Sequence, residues 1–180
     1  FALFDFLDTL ALGGETGALI SELRRCFCGK TDGSGFGLTL HDEISGALTL
    51  NLGILRMGAY YTGDPADAGA LHGVVDIRYP VCASAEQIMK GLSAASPLLQ
   101  FEPDHVQPPH HTPEDHYLVQ TLLRVYEQYM NRPARCLAIG GGTYARALKT
   151  GVAFGVTREG APELAHNADE YLVLSEQLQD

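Results

Sequence analysis

Apolar and polar positions fall into blocks of two distinct periods. Residues 1–12 are apolar nearly all round, with Leu3, Leu7 and Leu10 on one stripe, and predict a buried helix. Gly13-Gly14 breaks it. Leu19, Ile20, Leu23 and Phe27 recur at helical spacing and predict an amphipathic helix with Arg24 and Arg25 facing out. Lys30–Gly37 is polar and glycine-rich, hence a loop. The period then drops to two. Leu48, Leu50, Leu52 and Ile54 alternate with Ala47, Thr49, Asn51 and Gly53, the pattern of a half-buried strand. Gly63-Asp64-Pro65 turns the chain. Val75, Ile77 and Tyr79 alternate with Val74, Asp76 and Arg78 in a second strand, which Pro80 limits. Ser84-Ala85-Glu86-Gln87 fits a capping box opening a helix to about Leu92. Leu98–Val106 reads as a strand interrupted by Pro103.

Pro108–Thr112 resembles a linker and sets the expected boundary, with one domain over residues 1–107 and a second over 108–180. Thr112-Pro113-Glu114-Asp115 reads as a helix start, with Leu118, Leu122, Val125, Tyr126 and Tyr129 as its buried face. Cys136–Ile139 and Val152–Val156 are short apolar strands, and Tyr144–Lys149 is a short helix between them. The expected class is α+β: an open antiparallel sheet with helices on one face, then an α/β piece with parallel pairing. Phe1 opens directly on the first helix, and a helix beginning near Ser175 stops at Asp180. The sequence therefore reads as part of a longer protein with its final helix truncated.

Charge narrows the partners. Against 22 acidic residues stand 12 Lys and Arg, a net charge of −10. Nucleic acid and anionic membranes need clustered basic residues, so both are excluded as expected partners. No apolar run reaches the roughly 20 residues of a membrane span, and no signal-peptide pattern is present. Cys26, Cys28, Cys82 and Cys136 follow no metal-knuckle spacing and are expected to be reduced thiols, mostly core fillers, in a cytoplasmic protein.

Three features could carry chemistry. Gly140-Gly141-Gly142-Thr143 lies between an expected strand and a helix start, where backbone N–H groups can approach an anion. It is equally a tight turn, and it lacks the lysine of a nucleotide-phosphate loop. His166, just before Asp169 and Glu170, has the chemistry of a metal ligand, although a lone histidine is more often a surface residue. His105, His110, His111 and His116 straddle the boundary and read as surface or linker positions. Arg78 could hold a carboxylate or a tetrahedral oxyanion, or simply pair with Asp76.

The order of these pieces is more specific than any one of them. Asp42-Glu43-Ile44-Ser45-Gly46-Ala47-Leu48-Thr49-Leu50-Asn51 comes first, then Asp76-Ile77-Arg78-Tyr79-Pro80. Ile139-Gly140-Gly141-Gly142-Thr143-Tyr144-Ala145-Arg146, Gly151-Val152-Ala153-Phe154-Gly155 and His166-Asn167-Ala168-Asp169-Glu170-Tyr171 follow. In this the chain resembles the carnosinase-like, Xaa-His type bacterial dipeptidase branch of the aminoacylase/carboxypeptidase zinc metallopeptidases.

The resemblance implies a hydrolase whose α/β catalytic domain is split by a lid domain. Residues 1–107 would be the later part of the lid, and residues 108–180 the returning catalytic segment. His166 would ligate one of two metal ions, zinc with manganese or cobalt as alternatives, and metal-activated water would cleave a dipeptide. Arg78 would reach the substrate or tetrahedral intermediate. Gly141, Gly142 and Thr143 would sit against the substrate's C-terminal end. The family's His-x-Asp motif, Glu-Glu pair, further Asp ligand and lid histidine have no counterpart here. They imply the N-terminal half of the same protein as a partner and an inactive isolated fragment. Asn167 and Asp169 stand where relatives often carry Gln and Asn. The alternative function is a non-catalytic lid or dimerisation module that self-associates through a sheet edge.

Overall fold

The computed structural model describes residues 2–58, 63–155, 164, 167–171, 173 and 174. They belong to two units, Phe1–His111 with Ala138–Gly140, and Thr112–Leu137 with Gly141–Asp180.

In the first unit, helix α1 spans Ala2–Thr9 and α2 spans Gly14–Phe27. The Leu3-Leu7-Leu10 stripe expected inside does not form the buried face of α1. Phe4 is buried, Leu7 is half-buried, and Leu3 and Leu10 are exposed. The helix packs on α2, where Arg24 pairs with Asp5 at 2.9 Å and Asp8 at 3.2 Å. The side carrying the two acids therefore turns toward α2, and the leucine stripe turns away.

Helix α2 buries Leu23 and Phe27, as its periodicity predicts, and Cys26 beside them, while Leu19 and Ile20 of the expected stripe are half-buried. The following loop is less polar in its role than in its composition. Its 3₁₀ turn, Ser34–Phe36, inserts Phe36 edge-on against Phe27 and Phe101, with ring centres 5.2 and 5.6 Å apart. Gly35 runs so close to the Cys26 carbonyl that a β-carbon there would collide with it. Arg25, expected simply to face out, ties three elements together. It chelates Glu22 through Nε and Nη2, both at 2.7 Å, and donates to the carbonyls of Gly35 and Ala95.

Strands β1 (His41–Asp42) and β2 (Gly46–Ala47) form a short hairpin. Strand β3 (Thr49–Met57) pairs antiparallel with β4 (Leu71–Arg78), from Thr49 opposite Arg78 to Met57 opposite Leu71. Leu52 faces Val75 and Ile54 faces Val74, so Gly53 is the extra residue of a bulge. The bulge reverses the faces beyond it. Leu48 and Leu50 are each 1% exposed, whereas Ile54, expected on the same face, is 40% exposed and Leu55 takes the inward position.

Helix α3 (Ala85–Ala95) starts as predicted, with the Ser84 hydroxyl accepting from the Gln87 N–H. Its Ile88 and Leu92 join Leu23, Cys26, Phe27, Phe36, Leu38, Leu48 and Leu50 in one core. Antiparallel ladders with packed helices make the fold α+β. The strand expected over Leu98–Val106 does not form. Pro97 and Pro103 remove ladder donors, and the segment instead drops Leu99 and Phe101 onto the core from irregular backbone.

In the second unit, α4 spans Tyr117–Met130. It begins five residues after Thr112, capped by the His116 ring, whose Nδ1 accepts from Leu118 N–H at 3.2 Å. Thr112 instead donates its hydroxyl to the Gly151 carbonyl at 2.8 Å. The buried residue is Val119, flanked by half-buried Leu118, Leu122 and Tyr126, while Val125 and Tyr129 face out. Tyr126 meets Phe154 edge-on at 6.5 Å. The expected helix after Thr143 is a 3₁₀ turn, Tyr144–Ala147.

Neither Cys136–Ile139 nor the described part of the next segment, Val152–Gly155, forms a strand, so the parallel pairing expected there is not present among the described residues. Strands of parallel sheets need a neighbour and cover on both faces, and Leu137 and Ile139 are exposed. Val156 and the final helix after Ser175 lie outside the described residues. All four cysteines are free thiols. Only Cys26 is a core filler; Cys28 is half-buried, and Cys82 and Cys136 are exposed. Among the described residues no helix is long and apolar enough to cross a membrane.

Candidate functional site

Arg78 is the last residue of β4. Its alternation with Ile77 and Tyr79 turns it to the solvent side of the ladder, and its side chain is 58% exposed. Nη1 donates to the Gly140 carbonyl at 2.9 Å, within the first unit. Nη2 stands 3.8 Å from the Asp76 carboxylate, a loose and solvent-screened pair. The alternative reading from sequence, an Asp76 ion pair, is therefore present but is not the shortest bond that Arg78 makes.

Pro80 has no N–H and cannot continue the ladder past Tyr79. Side chains of the β1–β2 turn take over. Asp42 Oδ1 accepts from the N–H groups of Ile44 and Ser45 at 2.9 and 2.6 Å. Asp42 Oδ2 accepts from Cys82 N–H at 3.2 Å, and the Ser45 hydroxyl accepts from Val81 N–H at 2.9 Å. The two N–H groups beyond the proline are thus held by a turn some 40 residues earlier. These bonds, led by the Ser45 N–H, hold the Asp42 carboxyl down at about 2. The role of Asp42 and Ser45 is not evident from hydrophobic periodicity. The available signal is Asp-x-x-Ser before a glycine, the composition of a side-chain-capped turn.

Gly141, Gly142 and Thr143 lie in the second unit. The Thr143 hydroxyl accepts from Ala145 N–H at 3.3 Å and caps the 3₁₀ turn. With Tyr144, Arg146 and Ala147, Gly142 and Thr143 line an open concavity of about 530 Å³. None of Gly140, Gly141 and Gly142 has a positive φ. A β-carbon on Gly141 would meet nothing within 4 Å, and one on Gly142 would meet the Arg146 side chain. Neither backbone conformation nor packing among the described residues requires glycine at position 141.

His166 lies outside the described residues. Among the described residues no three His, Cys, Asp or Glu side chains gather as a metal site. His105 is 2.7 Å from Gln107 Nε2, and His116 is spent as a helix cap.

No family model matches the chain. Individual proteins do. The chain is 39% identical over 178 residues to the Bacillus subtilis protein "Putative dipeptidase YtjP", covering 98% of this chain and 36% of that one. It is 30% identical over 172 residues to the Beta-Ala-Xaa dipeptidase of Lactobacillus delbrueckii subsp. lactis, covering 95% of this chain and 35% of that protein. A Staphylococcus aureus protein described in the same terms as the first is 32% identical over 172 residues, again with 35% of its length covered. Over nearly its whole length, therefore, the chain is similar to little more than a third of proteins that bear dipeptidase names.

Proposed function

We propose that this chain is the lid and C-terminal part of a metal-dependent dipeptidase, and that it contributes substrate contacts rather than a complete catalytic centre. The relatives named dipeptidases support the reaction class. The observation that carries the Arg78 part of the site is its bond to the Gly140 carbonyl within the first unit. Arg78 reaches Gly140 from 62 residues away; in the second unit, a β-carbon on Gly141 would meet no atom of the described residues within 4 Å. A glycine here leaves its backbone N–H uncovered by a side chain, which suits close approach of a ligand. A guanidinium with five donors on an exposed strand end suits a carboxylate or the oxyanion of a tetrahedral intermediate.

The described residues do not fit a metal by themselves. In this reading the metal set is completed by residues of the longer protein, with His166 as this chain's contribution, so the chain alone is inactive. Zinc is the expected ion, with manganese or cobalt as alternatives. Dipeptide hydrolysis by the full-length protein, with and without a chelator, tests the reading. Chelator-sensitive turnover that is abolished in the isolated 180-residue chain is expected. Robust turnover by the isolated chain would overturn it.

A second reading draws on the sheet. Among the described residues β4 pairs only with β3, which leaves one long strand edge without a neighbouring strand. Self-association through that edge predicts a concentration-dependent mass in light scattering that a proline at Val74 removes.

A further inference from the structure

We infer that Asp42 and Ser45 are positioning residues for Arg78, acting through the backbone of Val81 and Cys82. This rests on the reading of Arg78 as a substrate contact.

Thr49 is the partner of Arg78 and the first residue of β3, so the ladder ends at the arginine. A strand end frays unless the groups beyond it are satisfied. Here Pro80 removes the next donor; its fully buried ring anchors the chain and confines Tyr79 to extended backbone, but it satisfies no polar group beyond the ladder. Orientation comes from the two bonds just beyond: Val81 N–H to Ser45 Oγ and Cys82 N–H to Asp42 Oδ2. Ser45 Oγ is in turn 3.0 Å from both Asp42 oxygens, so one carboxylate closes the whole clamp. The clamp belongs to the β1–β2 hairpin, whose Ala47 lies two residues before Thr49. The residues on both sides of the Thr49–Arg78 pair are therefore tied together, and the guanidinium projects from a closed loop rather than a free end. Its bond to Gly140 depends on that aim.

Asp42→Asn separates the two functions of the carboxylate. The amide oxygen still caps Ile44 and Ser45, while the amide nitrogen can no longer accept from Cys82. Ser45→Ala is a second, milder cut that releases Val81. In the full-length protein, D42N is expected to lower kcat/KM for a dipeptide on the order of 10- to 100-fold, the penalty of a misplaced contact. In an Arg78→Ala background the same change is expected to lower it less than about twofold, because residues acting through one another are not additive. An equal loss with and without Arg78, or none in either, would overturn the inference. A readout independent of turnover is the Nε–H NMR resonance of Arg78 together with amide exchange at Val81 and Cys82. D42N and S45A are expected to shift the first and speed the second. A full-length protein without dipeptidase activity would defeat the functional reading, and the Arg78 resonance would still decide the positioning: unmoved in both variants, it refutes the clamp.

Discussion

The Arg78 guanidinium donates to the carbonyl of Gly140 at 2.9 Å, joining the end of β4 to the first glycine of a run 62 residues later. Both residues are unremarkable alone. Together they tie the end of β4 to a segment far along the chain.

Arg78→Ala is expected to leave folding almost unchanged, since an exposed side chain away from the core alters stability by no more than about 0.5 kcal/mol. On the proposed dipeptidase reading, turnover by the full-length protein should fall about 100- to 1,000-fold, the effect of removing one donor to an oxyanion. Arg78→Lys keeps the charge but not the fork, and should recover only part of it. Steady-state kinetics beside a thermal melt would check both halves; a large loss of melting temperature in R78A would mean a structural role.

Gly141→Ala separates ligand approach from folding. A β-carbon there meets no atom of the described residues within 4 Å, and the backbone is outside the left-handed region, so the folded chain should be unchanged or slightly more stable. On the proposed reading, dipeptide binding by the full-length protein should weaken, seen as a raised KM. An unchanged KM in G141A would remove Gly141 from the site.

Acid should loosen the β1–β2 turn. The Asp42 carboxyl is held at about 2 by the Ser45 N–H, the Ser45 hydroxyl and Cys82 N–H, against an unfolded value near 4. A carboxyl depressed in the folded state stabilises it above the unfolded value, and that contribution is lost as pH falls toward 2. Glu22, held at about 2 chiefly by its bonds to Arg25, acts in the same direction. Denaturation of the isolated chain followed between pH 5 and 2 should show a steeper loss than in D42N; equal slopes would mean that Asp42 titrates near its ordinary value.

The bulge at Gly53 makes a testable distinction between two aliphatic residues on one apparent stripe. Leu50→Ala should cost about 2–5 kcal/mol, as for a fully buried leucine. Ile54→Ala, on the outward face after the bulge, should cost well under half as much. Urea unfolding of the two variants measures the difference, and equal costs would place Ile54 in the core.

Much of the first unit was legible because local rules and tertiary packing agree there. Period-two alternation at Leu48–Leu52 and Val75–Tyr79 makes strands, Ser84 with Gln87 starts α3, and Leu23 and Phe27 turn inward. Local chemistry also marks Arg78 and the glycines as candidates, because residue type and order need no coordinates.

What only the tertiary structure decides concerns faces, caps and partners. Gly53 as the unpaired residue puts Ile54 outside. Packing of α1 on α2 puts Phe4 in the core and Leu3 outside, with Arg24 pairing with Asp5 and Asp8 at the exposed margin. The bond to Gly151 takes Thr112 away from capping α4. The apolar runs at Cys136–Ile139 and Val152–Gly155 have strand composition and no strand beside them among the described residues. The physical reason is common to all four. Periodicity and propensity describe a segment's own preferences, worth tenths of a kcal/mol per residue, whereas a register shift, a helix face packed on a neighbour, a competing hydrogen bond or a missing ladder partner is set by residues elsewhere in the chain and overrides them.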